Sequence, residues 1–357
     1  MTILIDIGHP AHVHYFKNSI SILQSKGHNF VITARDRKGI HYLLEYYGFP
    51  YISRGTGGSD IVSKLFYLPK ALYILFKVSI KYKPSCYLSF SSSYAAICAF
   101  VLGKPHYCFD DTEHAVFEQM LYVPFSTNIF TPVDYRKDFG KKHLRFVGSM
   151  DYAYLHPRYY IPDISIYKVL GISEAEKFVL VRFVTWEASH DIGQKGLKNT
   201  DKVDCIRRLS EHVRVFISSE SNLPEELIKY SIDIPFEKMH DVLFYAELFF
   251  GESGTMATEA CVLGTPAIDI ATSALLVGVF DQFVEEGILY IYDDYDKAIE
   301  QAVSILSKTK KNYYRSLAER MMVGKTDITK FLTDFISNTS VSAKEIESKK
   351  YYFTEET

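Results

Sequence analysis

At 357 residues the chain exceeds one ordinary core and is expected to divide in two, since domains run to roughly 100–200 residues. Its 40 basic and 43 acidic residues leave a formal net charge of −3, so there is no global attraction for nucleic acid, which is excluded as the expected partner. Cys86, Cys98, Cys108, Cys205 and Cys261 are odd in number and widely spaced, with no Cys-x-x-Cys pair for zinc or redox work; they read as core residues of a reducing compartment.

In chain order, Thr2 to Ile7 is a short apolar strand that ends in Gly8-His9-Pro10, and a helical pattern follows from about His14 to Lys26. Asn29 to Thr33 reads as a second strand, Ile40 to Tyr47 as a helix, and Tyr51 to Ser53 as a third strand. Next come a helix from about Ile61 to Tyr82, the strand Cys86 to Ser89, the helix Tyr94 to Leu102, and the strand His106 to Phe109. Further strands fall near Asn128 to Thr131 and Leu144 to Phe146. Helix breakers between Tyr152 and Ser165 place the domain boundary there.

The second half repeats the alternation with strands at Phe178 to Phe183, Arg214 to Ile217, Leu248 to Phe250 and Ala267 to Ile270. Its helices are expected near Lys202 to Glu211, Pro224 to Lys229, Met239 to Ala246, Met256 to Leu263, Ala298 to Ser307 and Tyr313 to Met322. The expected fold class is α/β, two Rossmann-like domains facing each other across a cleft, with boundaries at 1–155 and 165–335 and a polar tail over 340–357.

The chain enters the apolar run Ile3-Leu4-Ile5 without the features of a signal peptide. Leu65 to Ile80 is broken by Pro69, Lys70 and Lys77, and Leu88 to Leu102 is short and serine-rich, so neither reaches the ~20 apolar residues of a span. A cytoplasmic location is expected. The mixture of apolar residues and lysines over 64–83 also suits a helix resting on an anionic bilayer at the inner face of the membrane, against the plainer reading of a core helix with lysines reaching out to water.

The segment Gly251-Glu252-Ser253-Gly254-Thr255-Met256-Ala257-Thr258-Glu259-Ala260 follows an apolar strand and opens a helix. Such a turn aims free backbone N–H groups and the positive helix end above the sheet, where a diphosphate fits. The hydroxyls of Ser253 and Thr255 can donate to phosphate, and Glu259, one turn deeper, can accept from a ribose diol. The plainer reading is a tight turn with Ser253 as an N-cap.

Residues 248–270 resemble the donor-binding segment of nucleotide-sugar enzymes of the GT-B fold, notably the non-hydrolysing UDP-N-acetylglucosamine 2-epimerases and related glycosyltransferases. The resemblance implies that Ser253, Gly254 and Thr255 hold the diphosphate and Glu259 the ribose. It extends weakly to Gly8-His9-Pro10 and to Ser91 to Lys104. The overall pattern, including Arg182 to Asp191, is also similar to a microbial family without assigned function. Where the epimerases carry a Gly-Asp-Thr turn this chain has Ser89-Phe90-Ser91-Ser92-Ser93, and Asp110-Asp111-Thr112-Glu113-His114 replaces their Glu-Ala-Gly segment.

The resemblance implies a glycosyltransferase that moves a sugar from a UDP- or related donor to a saccharide or lipid-linked acceptor in surface-glycan assembly. A 2-epimerase or hydrolase, or a non-catalytic nucleotide-sugar binder, are the alternatives. His9, His12 and His14 crowd the first turn; His9 and His14, with Asp111 and His114, are the candidate catalytic groups, a carboxylate beside a histidine being a natural base with its partner. Arg182 and His240 join the motif as candidate nucleotide-sugar ligands; Trp186, His190, Asp110 and Glu113 are candidate acceptor or loop residues. Each has a structural alternative: capping by Asp111, packing of a histidine, burial of Trp186. No metal and no further cofactor are expected.

Overall fold

The computed structural model describes residues 1–57, 61–184, 198–220, 222–308, 310–337 and 351–353, with backbone alone at 61–66, 272 and 273. Its contacts divide the chain into two compact units, one of Met1–Tyr154 with Gly324–Thr357 and one of Leu155–Val323.

In the first unit, apolar runs closed by turn residues become β1 (Thr2–Ile7), β2 (Asn29–Ala34), β3 (Tyr51–Ser53), β4 (Cys86–Phe90), β5 (His106–Phe109), β6 (Asn128–Pro132) and β7 (His143–Phe146). They pair in parallel in the order β3-β2-β1-β4-β5-β6-β7. Between them run α1 (Pro10–Ser25), α2 (Lys38–Tyr46), α3 (Ile61–Tyr82), α4 (Ser93–Val101) and α5 (Val116–Tyr122). Right-handed crossovers place α1 beside α2 on one face of the sheet and α3, α4 and α5 side by side on the other. Helix α1 starts earlier than the periodicity suggests, because Pro10 fits the first helical turn and His9 caps it, its Nδ1 accepting from the Ala11 N–H at 3.2 Å.

The second unit opens within α6 (Tyr152–Leu155) and continues through α7 (Ile166–Leu170), β8 (Phe178–Phe183), α8 (Asn199–Ser210) and β9 (Arg214–Ser219). It goes on with α9 (Met239–Tyr245), β10 (Leu248–Gly251), α10 (Gly254–Val262), β11 (Ala267–Asp269), α11 (Asp281–Glu285), β12 (Leu289–Ile291), α12 (Tyr295–Lys308) and α13 (Lys311–Met322). Its parallel sheet has the order β12-β11-β10-β8-β9. The helix expected near Pro224 to Lys229 is instead a 3₁₀ segment, Glu225–Tyr230; so short a piece after Pro224 gains little from the α-helical ladder.

The chain then returns to the first unit. α14 (Ile328–Ser337) lays Phe331 and Phe335 against Phe130, with ring centroids 5.4 and 5.3 Å apart, and Thr329 Oγ1 donates to the Ala153 carbonyl at 2.8 Å. A second domain running to 335 therefore includes a helix that packs elsewhere. Within the expected polar tail, Tyr351 and Phe353 are buried, and Tyr351 meets Phe331 edge-on at 5.6 Å.

All five cysteines are free and buried. No helix of the described residues is long and apolar enough to cross a membrane.

Candidate functional site

In an open parallel sheet, ligands sit beyond the carboxyl ends of the strands where the direction of winding reverses. In the second unit that point lies between β8 and β10, because β9 is laid down on one side of β8 and β10 on the other. The Gly251–Thr255 turn occupies it. Ser253 is the N-cap of α10, its hydroxyl oxygen accepting from the Met256 N–H at 3.4 Å, so its own O–H stays available to donate. The N–H groups of Gly254 and Thr255, at the start of α10, have no carbonyl one turn earlier within the helix.

Two glycines make this approach possible. A Cβ on Gly251 would come within 2.3 Å of the Arg182 carbonyl oxygen on β8, and one on Gly254 within 2.6 Å of the Phe280 ring. Glu252, buried between the two strand ends, accepts from the Val184 N–H at 3.1 Å and donates its own N–H to the Arg182 carbonyl at 3.1 Å. The turn is thus bolted to β8 on its flank while the helix end stays open.

Glu259 is buried one turn deeper, where its Oε1 lies 3.1 Å from Nε2 of His240 at the start of α9. Arg182 turns the other way. Its guanidinium donates to Ser218 Oγ at 2.6 Å and Glu220 Oε1 at 2.5 Å, both on the β9 side of β8, so reaching a diphosphate at α10 requires exchanging Glu220 for the ligand. Asp269, at the end of β11, is fully buried; one oxygen accepts from the Ala271 N–H at 2.9 Å. Burial, with the charge of Glu252 added, lifts its carboxyl to about 7.

In the first unit the reversal lies between β1 and β4. Asp6, an acid in an apolar strand, is buried there and fully engaged. Its Oδ1 accepts from Thr33 Oγ1 and Arg54 Nε, each at 2.8 Å, and its Oδ2 from Ser92 Oγ at 2.5 Å. Arg54 in turn stacks over Tyr94 at 4.6 Å and bonds Tyr67. Beside it, Nδ1 of His12 accepts from the Gly8 N–H at 3.3 Å, which puts the neutral ring's proton on Nε2. Burial, then His9 and Arg54, hold the His12 imidazolium well below the usual range, so the ring is neutral at pH 7.

The turns after β1, β4 and β5 are contiguous: His12 meets Phe90 at 5.0 Å, and Ser91 Oγ donates to Asp110 Oδ1 at 2.8 Å. Asp110 is saturated, since Tyr122 and Tyr135 both donate to its Oδ2 at 2.6 Å; it is a structural hub. Asp111 is the chemically poised member. Burial, reinforced by Asp110 and opposed by the Thr112 hydroxyl donating at 3.0 Å, raises its carboxyl to about 8. Glu113 is buried and accepts from the Arg136 N–H at 3.2 Å, while His114 is half-buried in the same turn.

His9 is exposed at the cap of α1, but His14 is buried, stacked on Tyr154 at 5.4 Å and edge-on to Tyr47 at 6.1 Å. His12 and His14 differ by about 200° around the helix, so only one of them can face the sheet edge. Among the candidates, then, the structure groups Ser253, Gly254 and Thr255 at one turn and His240 with Glu259 beneath it, and in the other unit sets His9 beside His12 after β1, at 6.0 Å between rings, and Asp110, Asp111, Glu113 and His114 in the turn after β5. Asp6 and Arg54 are added, and Glu252 of the motif gains a bracing role; the signal for Asp6 and Arg54 was a lone acid in a buried strand. Trp186 and His190 lie outside the described residues. No group of three or more His, Cys, Asp or Glu able to hold a metal is found among the described residues.

This architecture is shared with solved structures along nearly the whole chain. The UDP-GlcNAc 2-epimerase of Neisseria meningitidis, bound to UDP-GlcNAc, superposes with a TM-score of 0.72 at 14% identity, covering 94% of this chain and 100% of that one. A glycosyltransferase of Streptomyces sp. SF2575 gives a TM-score of 0.58 at 12% identity over 95% and 100% of the two chains. The fold is therefore the two-domain Rossmann-like α/β fold of the GT-B enzymes. In sequence, an uncharacterized protein of Methanocaldococcus jannaschii is 26% identical over 326 residues, 86% of this chain and 92% of that protein. Residues 1–340 match the family described as protein of unknown function (DUF354), and the chain belongs to that family.

Proposed function

We propose that the protein is an enzyme of nucleotide-sugar metabolism that binds its donor diphosphate at the Gly251–Thr255 turn and transfers the sugar to a saccharide or lipid-linked acceptor. The observation that carries this is the open amino end of α10, set at the winding reversal of its sheet by two glycines that admit no side chain. Ser253 and Thr255 donate to the phosphates, and Glu259 turns from His240 to the ribose. Arg182 supplies positive charge on leaving Glu220. A UDP-sugar is the favoured donor, because solved structures of the same fold from Neisseria meningitidis and Methanocaldococcus jannaschii hold UDP-GlcNAc.

In this reading the carboxyl edge of the first unit handles the acceptor. Asp111, with its raised pKa, exchanges a proton with the acceptor hydroxyl, and the neutral His12, with His9 next to it, offers a hydrogen bond from the adjoining turn. No metal or cofactor is required.

A second reading, a nucleotide-sugar 2-epimerase, is the activity named for several solved structures of the same fold. Against it stands the serine-rich turn after β4, which offers no carboxylate of its own. Incubation with UDP-, GDP-, CMP- and dTDP-sugars separates the two. Transfer that needs an added acceptor supports the first; an epimer or free sugar formed without one supports the second; tight binding without turnover rejects both as enzymes.

A further inference from the structure

We infer that the outer surface of α3, α4 and α5 docks on an anionic lipid bilayer. The inference stands apart from the nucleotide chemistry, since no residue in it belongs to either candidate site.

Its first support is charge. From 61 to 109 the chain carries six lysines and no aspartate or glutamate, although the whole protein is net acidic at −3. Lys70, Lys77, Lys81, Lys83 and Lys104 are exposed, and none has a carboxylate partner among the described residues. Exposed lysines are ordinarily interspersed with acids, which keeps a surface from drawing one class of partner.

The second support is what lies between those lysines. Helix α3 buries Tyr67, Ala71, Leu75 and Val78 on its inner side and turns Tyr73, Lys77 and Ile80 outward, one helical stripe. α4 packs against it and exposes Phe100 and Val101; α5 packs against α4 and exposes Phe117 and Met120. Tyr73, Ile80, Phe100, Phe117 and Met120 are each between 61% and 69% exposed. Single exposed apolar residues are ordinary, whereas large ones on three adjoining helices of one layer mark an interaction face. Apolar side chains that enter the acyl boundary beside lysines that meet lipid phosphates are the makeup of a surface-bound amphipathic element. α5 carries the half-buried Glu118 between its exposed apolar residues, but a protein partner of ordinary composition offers no reason for the absence of acids from α3 and α4. Among the described residues no helix is long and apolar enough to cross a membrane, and the contact inferred is a peripheral one.

The test is sedimentation of the full-length protein, without nucleotide, with vesicles of phosphatidylcholine alone or with a minority of phosphatidylglycerol. The protein should pellet with the anionic vesicles and stay in solution with the neutral ones. Each lysine near the surface strengthens binding about fivefold, so Lys77→Glu with Lys81→Glu should cut the partition coefficient at least about 25-fold. Phe117→Ser with Met120→Ser should cut it about tenfold. Unchanged melting temperatures establish that both variants are folded. Failure of the wild type to bind anionic vesicles overturns the inference, as does binding that neither variant alters. So does a dimer in analytical ultracentrifugation that Phe117→Ser with Met120→Ser dissolves, because a second copy would then cover the face. Each result is obtained whether or not the protein turns over a nucleotide sugar.

Discussion

The imidazole of His240 and the carboxylate of Glu259 hold each other at 3.1 Å, one at the start of α9 and the other in the second turn of α10, both shut off from water. The pair fixes an acid directly beneath an open helix end. A ligand hydroxyl that reaches it finds an acceptor already desolvated and oriented.

Glu259→Ala should weaken UDP binding by about 10- to 100-fold, the range for losing a hydrogen bond to a charged group. His240→Ala should weaken it less, by freeing the carboxylate rather than removing it, and the double variant should resemble Glu259→Ala alone. Calorimetric titration with UDP measures all three. Unchanged affinity in Glu259→Ala removes the ribose role.

The two glycines of the turn should fail differently. Gly251→Ala drives a methyl into the Arg182 backbone, which cannot yield, and should destabilise the second unit by more than about 3 kcal/mol. Gly254→Ala meets the tip of Phe280, a side chain that can be shortened. Its cost, about 1–3 kcal/mol, should be partly recovered by Phe280→Leu. Thermal unfolding of the three variants checks the order.

Asp111 links pH to stability and, if it is the base, to turnover. Its folded-state pKa is raised from 3.8 to about 8, so the unfolded chain gives up the proton first and folding is penalised increasingly as pH climbs between those values. Asp111→Asn should therefore be more stable than the wild type at neutral pH, by on the order of 1–3 kcal/mol, with the gain vanishing below the lower value. If Asp111 is the base, turnover of the wild type should rise with pH to a plateau above about 8, and the variant should show neither the turnover nor the rise. Equal stability of the two proteins across that window contradicts the raised pKa.

Arg54 neutralises Asp6 inside the first unit. Arg54→Met leaves a buried carboxylate without its cation and should cost about 3–5 kcal/mol. Amide exchange along β1 and β2 in mild urea, accelerated in the variant and unchanged in the second unit, is the expected signature.

Much of this was legible in the residues. Buried parallel strands read as short, largely apolar runs, so His106–Phe109, which follows Pro105, and Phe178–Phe183 stand at their expected limits. The Gly251 turn was legible because glycines at a strand end are costly without a close approach to accommodate. Helix α5 was not, since the apolar residues it exposes, Val116, Phe117 and Met120, blur its amphipathic period. β12, three residues long, was not legible either, whereas the equally short β3 was marked by the Gly48-Phe49-Pro50 turn before it. Helix α14 does carry one, Ile328, Phe331, Leu332, Phe335 and Ile336, yet periodicity says that a face is buried and not against which sheet. In the candidate sites, a cluster of three histidines in sequence came apart in space because helical phase separates positions two apart, and Arg182 chose a neighbour on β9 that no local spacing announces.

The ribosome delivers this chain from one end, and the placement of α14 sets a schedule. β5 and β6 emerge early, but the helix that covers Phe130 and Tyr107 is made only after the whole of the other unit. Until then the nascent first unit carries bare aromatic rings, and a gene cut at residue 154 would encode a protein permanently in that state. Any attempt to express the halves separately must graft residues 324–357 onto the first.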